Sequence, residues 1–122
     1  MMLDIFNDVG EHFNSLPYGN YTLLAPPGFT YHGKVTYQLG FYMSSNRIQI
    51  VKEGSLYEDE LQFYHAIYDY WSEKASFDQT KFAFDYYRRS YFLTFSKKQA
   101  DELMSHGYQL EYTNNECYVI KL

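Results

Sequence analysis

Residues 82–95 read FAFDYYRRSYFLTF, and half of these positions carry a ring: Phe82, Phe84, Tyr86, Tyr87, Tyr91, Phe92 and Phe95. Rings of this size leave a chain few choices. Each has to pack in an interior, stack on a ligand or sit at a contact with another molecule. The pressure extends beyond this stretch, because Tyr occurs 15 times and Phe 10 times in 122 residues. A core absorbs Phe freely, whereas a buried Tyr needs a partner for its hydroxyl. Phe82, Phe84, Leu93 and Phe95 are therefore expected in the core. A share of the tyrosines is expected half-exposed, ring down and hydroxyl out.

The periodicity around this stretch sets the elements. Met2, Ile5, Phe6, Val9, Phe13 and Leu16 form one helical stripe, ended by Pro17. YTLLA (21–25) reads as a short strand before Pro26, Pro27 and Gly28. Residues 34–43 alternate in polarity and, with RIQIVK (47–52), predict a hairpin whose Ile48 and Ile50 share a face. Ser55 and Glu58 have the spacing of a capping box, which predicts a helix from Ser55 with Glu58, Asp59 and Glu60 at its positive end. Its apolar band runs through Tyr57, Leu61, Tyr64, Tyr68 and Trp71, widened by Leu56, Phe63, Ile67 and Tyr70.

Ser76 and Gln79 predict a further helix reaching Arg88 and Arg89, although Phe82, Phe84 and Tyr86 also alternate as in a strand. SYFLTF (90–95) has strand propensity. Ser96 and Gln99 cap a short helix closed by Gly107, with Ala100, Leu103 and Met104 inward. YQLEY (108–112) and CYVIKL (117–122) make a second hairpin. The expected architecture is α+β: a single domain over residues 1–122, with a largely antiparallel sheet of hairpins and three or four helices packed on one face.

Several classes of function are excluded by what the sequence lacks. Cys117 is the one cysteine, so there is no internal disulfide and no zinc-type spacing. No apolar run approaches membrane-spanning length. The first sixteen residues lack the basic start of a signal peptide. A soluble, cytoplasmic protein is expected, in the host-cell cytoplasm if it is phage-encoded, with no cofactor and no metal.

His65 and Asp69 share the polar side of their helix at metal-ligand or base–orienter spacing, but nothing else in the sequence joins them, which favours a solvated face. Glu60 falls inside the apolar arc and would suit a general acid if buried; a first-turn Glu more commonly reaches water at the arc's edge. PPGFTYHG (26–33), with His32, has too few and too widely spaced glycines for a phosphate loop. Cys117 reads as a small buried hydrophobe. No motif names a reaction, so a non-enzymatic role is expected.

Charge decides between the remaining partners. The net charge is −5, yet residues 81–98 hold Lys81, Arg88, Arg89, Lys97 and Lys98 against Asp85 alone. That basic aromatic segment is the case for a single-stranded nucleic-acid binder using Lys81, Tyr86, Tyr87, Arg88, Arg89 and Tyr91. Against it stand the acidic whole, with a pI near 5.2, and the opposite directions of alternate rings on a strand. Residues 55–80 are the reverse, with six acids against Lys74.

Tyr, Trp and Arg dominate protein-interface hot spots. Tyr57, Glu58, Asp59, Tyr64, Tyr68, Asp69, Tyr70 and Trp71 are thus the expected protein-binding face, an aromatic patch with an acidic rim and its Tyr70 edge accessible. It would suit a partner with a basic surface. A self-associating structural protein, with a homodimer as its simplest form, and an enzyme of unrecognised type compete with this reading. In style, being short, acidic, Tyr-rich and cysteine-poor without a catalytic motif, the chain resembles accessory proteins of phages and mobile elements, including inhibitors of host nucleases and anti-CRISPR proteins. The resemblance covers no alignable motif. It implies stoichiometric inhibition by occlusion of a partner's functional surface.

Overall fold

A strand packed on both faces needs apolar residues at successive positions, and Tyr91, Phe92, Leu93 and Thr94 are all buried. In the computed structural model, which describes residues 2–26 and 48–122 with side chains from Asp8 onward, these residues form the central strand. The element order is α1 (Met2–Ser15), β1 (Tyr21–Leu24), β2 (Ile48–Ile50), a single 3-10 turn (Glu53–Ser55), α2 (Glu58–Trp71), α3 (Phe77–Tyr86), β3 (Tyr91–Thr94), α4 (Lys97–Ser105), β4 (Gln109–Thr113) and β5 (Tyr118–Lys121). The expected strand over 34–43 lies outside the described residues, as does the PPGFTYHG loop after Pro26.

The sheet is mixed, with strand order β2-β1-β3-β5-β4. β1 runs parallel to both β2 and β3, while β3, β5 and β4 are antiparallel neighbours. This corrects the expected sheet of largely antiparallel hairpins. Only β4 and β5 form a hairpin among the described residues. Between β2 and β3 the chain runs through α2 and α3, a connection long enough to return it for parallel pairing. The helices also divide between the two faces of the sheet. α1 brings Val9 and Phe13 against Leu23, Ile50, Leu93 and Val119. α2, α3 and α4 cover the other face, where Tyr64, Ile67, Phe84 and Leu103 meet Leu24, Phe92 and Ile120.

Local chemistry explains most of the helix ends. Ser76 and Gln79 form the full capping box: the Ser76 N–H donates to Gln79 Oε1 at 2.8 Å, and the Gln79 N–H donates to Ser76 Oγ at 3.2 Å. Residues 77–86 are therefore helical, and Arg88 and Arg89 fall just beyond the end. Arg89 has a φ of 78°. Its N–H donates to the Leu122 carbonyl at 3.0 Å, which ties the turn to the end of the sheet. Ser96 Oγ accepts from the Gln99 N–H, and Gly107, at φ 96°, closes α4 as expected.

The capping box at Ser55 and Glu58 is absent. Ser55 Oγ instead donates to the Lys52 carbonyl at 2.9 Å, so α2 starts at Glu58 with Tyr57 as an N-cap that makes no side-chain bond. A serine that satisfies a carbonyl three residues back stabilises a local turn in competition with the helix.

Rings from α1, α2 and α3 meet around β3. Phe13 packs edge-on against Tyr91 with centroids 5.0 Å apart, and Trp71 stacks on Phe92 at 5.1 Å. Tyr70 meets Phe84 at 5.1 Å and 89°. Gln99, buried, joins the helical layer to the strand: its Nε2 donates to the Tyr70 carbonyl at 2.8 Å, and its Oε1 accepts from Thr94 Oγ1 at 2.7 Å. Among the described residues no helix is long and apolar enough to cross a membrane.

Replacing the fully buried Phe84 by Ala should cost about 3–5 kcal/mol, measured by urea denaturation. A second outcome follows from the phenols. Burial, with Glu53 adding to it, pushes Tyr64 up from 10.0 to about 12, and burial likewise pushes Tyr87 to about 12. Because each holds its proton more tightly when folded, their contribution is intact below pH 10 and is lost as the pH rises towards 12. Tyrosinate absorbance from Tyr64 and Tyr87 should accordingly appear only together with alkaline unfolding.

Candidate functional site

Short turns between helices make antiparallel neighbours, and residues 72–76 fold α3 back along α2 in this way. The start of α2 then lies beside the end of α3. Glu60 and Phe63, three apart on α2, meet Phe82 and Tyr86, four apart on α3; these spacings put each pair on one helical face. Phe63 stacks on Tyr86 with centroids 3.9 Å apart and planes 3° from parallel, and lies 5.8 Å from Phe82. The outer rings remain in solvent, Phe82 at 48% and Tyr86 at 45% exposure. Tyr57, at the mouth of α2, is 77% exposed.

Beside this aromatic ridge opens a cleft of about 430 Å³. Its floor is the helical face of the sheet, with Thr22 and Gln49, and its walls are Tyr57, Glu60, Tyr86 and Tyr87. The Tyr86 phenol is held up from its ordinary value by burial, then by Glu60 and Asp59 nearby. Behind it Tyr87, only 6% exposed, packs edge-on against Tyr86 at 5.0 Å. The Tyr87 hydroxyl is the one buried side-chain polar atom among the described residues without a hydrogen-bond partner.

The face expected from the sequence is thus partly moved. Tyr57, Glu58, Asp59 and Tyr68 are exposed, and Asp69 is half-buried. Tyr64 and Tyr70 are core residues at 2% and 3% exposure, so the Tyr70 edge is not accessible. Trp71 is half-buried, its Nε1–H donating to the Leu93 carbonyl at 2.9 Å. The reason is α3, which covers the Tyr70 flank of α2 through Phe84. Tyr70 is housed there because its hydroxyl finds Glu102 Oε1 at 2.5 Å. Phe82, expected in the core, is instead exposed beside Phe63 of α2. Phe63, Phe82 and Glu60 belong to the observed surface and were not among the expected binding residues; the signal available was the i,i+4 pair Phe82–Tyr86.

The expected nucleic-acid set is dispersed. Tyr87 and Tyr91 are buried on opposite faces of the sheet. Lys81 Nζ pairs with Asp85 Oδ2 at 2.9 Å. Arg88 and Arg89 are exposed beyond the helix, and Tyr86 faces carboxylates, which repel phosphate.

His65 reaches Glu53 at 3.1 Å rather than Asp69, with both side chains more than half in solvent. Among the described residues no group of three or more His, Cys, Asp or Glu converges as metal ligands. Cys117 is buried, and burial pushes its thiol up to about 12, as suits a packed hydrophobe rather than a nucleophile. His12 Nε2 meets Glu111 Oε2 at 2.8 Å, joining α1 to β4 across 99 residues of sequence. Comparison with protein-family models, curated proteins and solved structures gave no match.

Two phenol-to-phenyl substitutions should separate the housed hydroxyl from the orphaned one. Tyr70→Phe should lower stability by about 0.5–1.5 kcal/mol through loss of the Glu102 bond, whereas Tyr87→Phe should leave it unchanged or raise it. Thermal denaturation of the two variants beside the parent checks both outcomes.

Proposed function

We propose that this chain is a small non-enzymatic protein-binding module that docks through the aromatic ridge and cleft at the start of α2 and the end of α3. The observation that carries the reading is the exposure of Tyr57 and Tyr86 on the walls of one cleft, with exposed Phe82 beside them on the ridge that the Phe63 stack holds. Large rings held by their neighbours lose little side-chain freedom on binding, which is why such residues anchor interfaces. Glu58, Asp59 and Glu60 form the first turn of α2, with Glu60 on the cleft wall and Asp59 near Tyr86. An acidic rim of this kind steers a basic surface into register and speeds encounter more than it adds affinity.

The mode of action that fits is occlusion. The chain would cover a functional surface of a host defence or nucleic-acid-processing protein, as a phage or mobile-element inhibitor does. The single-stranded nucleic-acid reading has less support, because Tyr87 and Tyr91 are buried, Tyr86 faces carboxylates and Lys81 is paired.

The test is capture from host lysate with the tagged chain, followed by reconstitution of the complex from purified components. One dominant protein with a basic surface is expected in a stoichiometric complex. The double variant Phe82→Ser, Tyr86→Ser should weaken the complex by at least about thirtyfold, two anchor residues at more than 1 kcal/mol each. Unchanged affinity in that variant would overturn the reading. So would a salt-sensitive oligonucleotide shift that Arg88→Glu with Arg89→Glu abolishes.

A further inference from the structure

Resting on that docking reading, we infer that the cleft walled by Tyr57, Glu60, Tyr86 and Tyr87 is a socket for an arginine side chain of the partner. Its described lining includes one carboxylate, Glu60, and no cation. A cleft with one anion and otherwise apolar or neutral polar walls attracts a cationic group. Tyr57 and Tyr86 put aromatic rings on the walls, beside which a guanidinium packs more readily than an ammonium does. Thr22 and Gln49 add a hydroxyl and an amide carbonyl on the floor. Acceptors spread over two walls and a floor suit a planar group with five N–H donors better than a compact one with three.

The Tyr87 hydroxyl is the second, independent sign. A buried hydroxyl without a partner is destabilising, and a phenylalanine at this position would avoid that cost. The phenol is also kept protonated well above neutral pH by its burial, so its oxygen stays a neutral acceptor. Tyr86, itself half in solvent, packs edge-on against Tyr87 and lines the same cleft. A guanidinium laid against Glu60 along this wall would give the orphaned oxygen an N–H donor.

The isotope-labelled full chain, titrated with N-acetyl-arginine N-methylamide and followed by amide chemical shifts, tests this directly. The citrulline and lysine counterparts serve as controls. The arginine probe should shift Tyr57, Glu60, Tyr86 and Tyr87 saturably, the neutral citrulline probe should shift none of them, and the lysine probe should bind more weakly. Glu60→Gln and Tyr87→Phe should each weaken the arginine probe by about tenfold, the loss of one charge-assisted hydrogen bond. Equal shifts with arginine and citrulline, or an arginine response indifferent to both variants, would overturn the socket. If the socket fails while Phe82→Ser with Tyr86→Ser still abolishes complex formation, the docking face stands without it. If the complex too is indifferent to that double variant, both readings fall.

Discussion

β3 is the element on which the rest of the structure depends. Successive side chains of a strand point to opposite faces, and here both faces are covered. Tyr91 and Leu93 meet α1, while Phe92 meets the three-helix layer. Phe92 and Leu93 have no exposure at all, and Trp71 reaches β3 twice, through its stack on Phe92 and its bond to the Leu93 carbonyl. Removing apolar bulk here opens both layers together.

That double burial sorts the phenols. An interior accepts Tyr where the hydroxyl is met, as at Tyr70 with Glu102, and the surplus rings go outward along the helix edges. Tyr64, Tyr70, Tyr87 and Tyr91 are inside; Tyr18, Tyr57, Tyr68 and Tyr86 are outside. Tyr87 breaks the pattern by being buried without a partner. It does so on the wall of the cleft that Tyr57 and Tyr86 also line, so the least satisfied polar group lies beside two of the exposed rings. A polar group left unmet inside a folded chain commonly marks a functional site.

Much of this was legible in the residues. The Ser76–Gln79 and Ser96–Gln99 pairs mark two helix starts because capping is decided within four residues. The 108–122 hairpin follows from a short connection between two strands. Ser55 misled because the same hydroxyl serves a turn or a cap equally well, and only the path of the chain decides which. Parallel pairing of β1 with β2 and β3 was hidden, since it depends on how long connections close rather than on any local pattern. The proposed docking face was half-legible for the same reason. Helical periodicity gives an apolar arc around α2, but whether sheet, α3 or solvent meets each part of it is a tertiary matter. Tyr70 and Tyr57 read alike in sequence and ended on opposite sides of that division.

Amide hydrogen exchange of the chain, free and bound to a captured partner, tests the central claim most directly. Protection confined to the start of α2 and the end of α3, around Tyr57–Phe63 and Phe82–Tyr87, is the predicted footprint. Protection centred on the β4 edge or on α1, with those two segments exchanging as in the free chain, would contradict it.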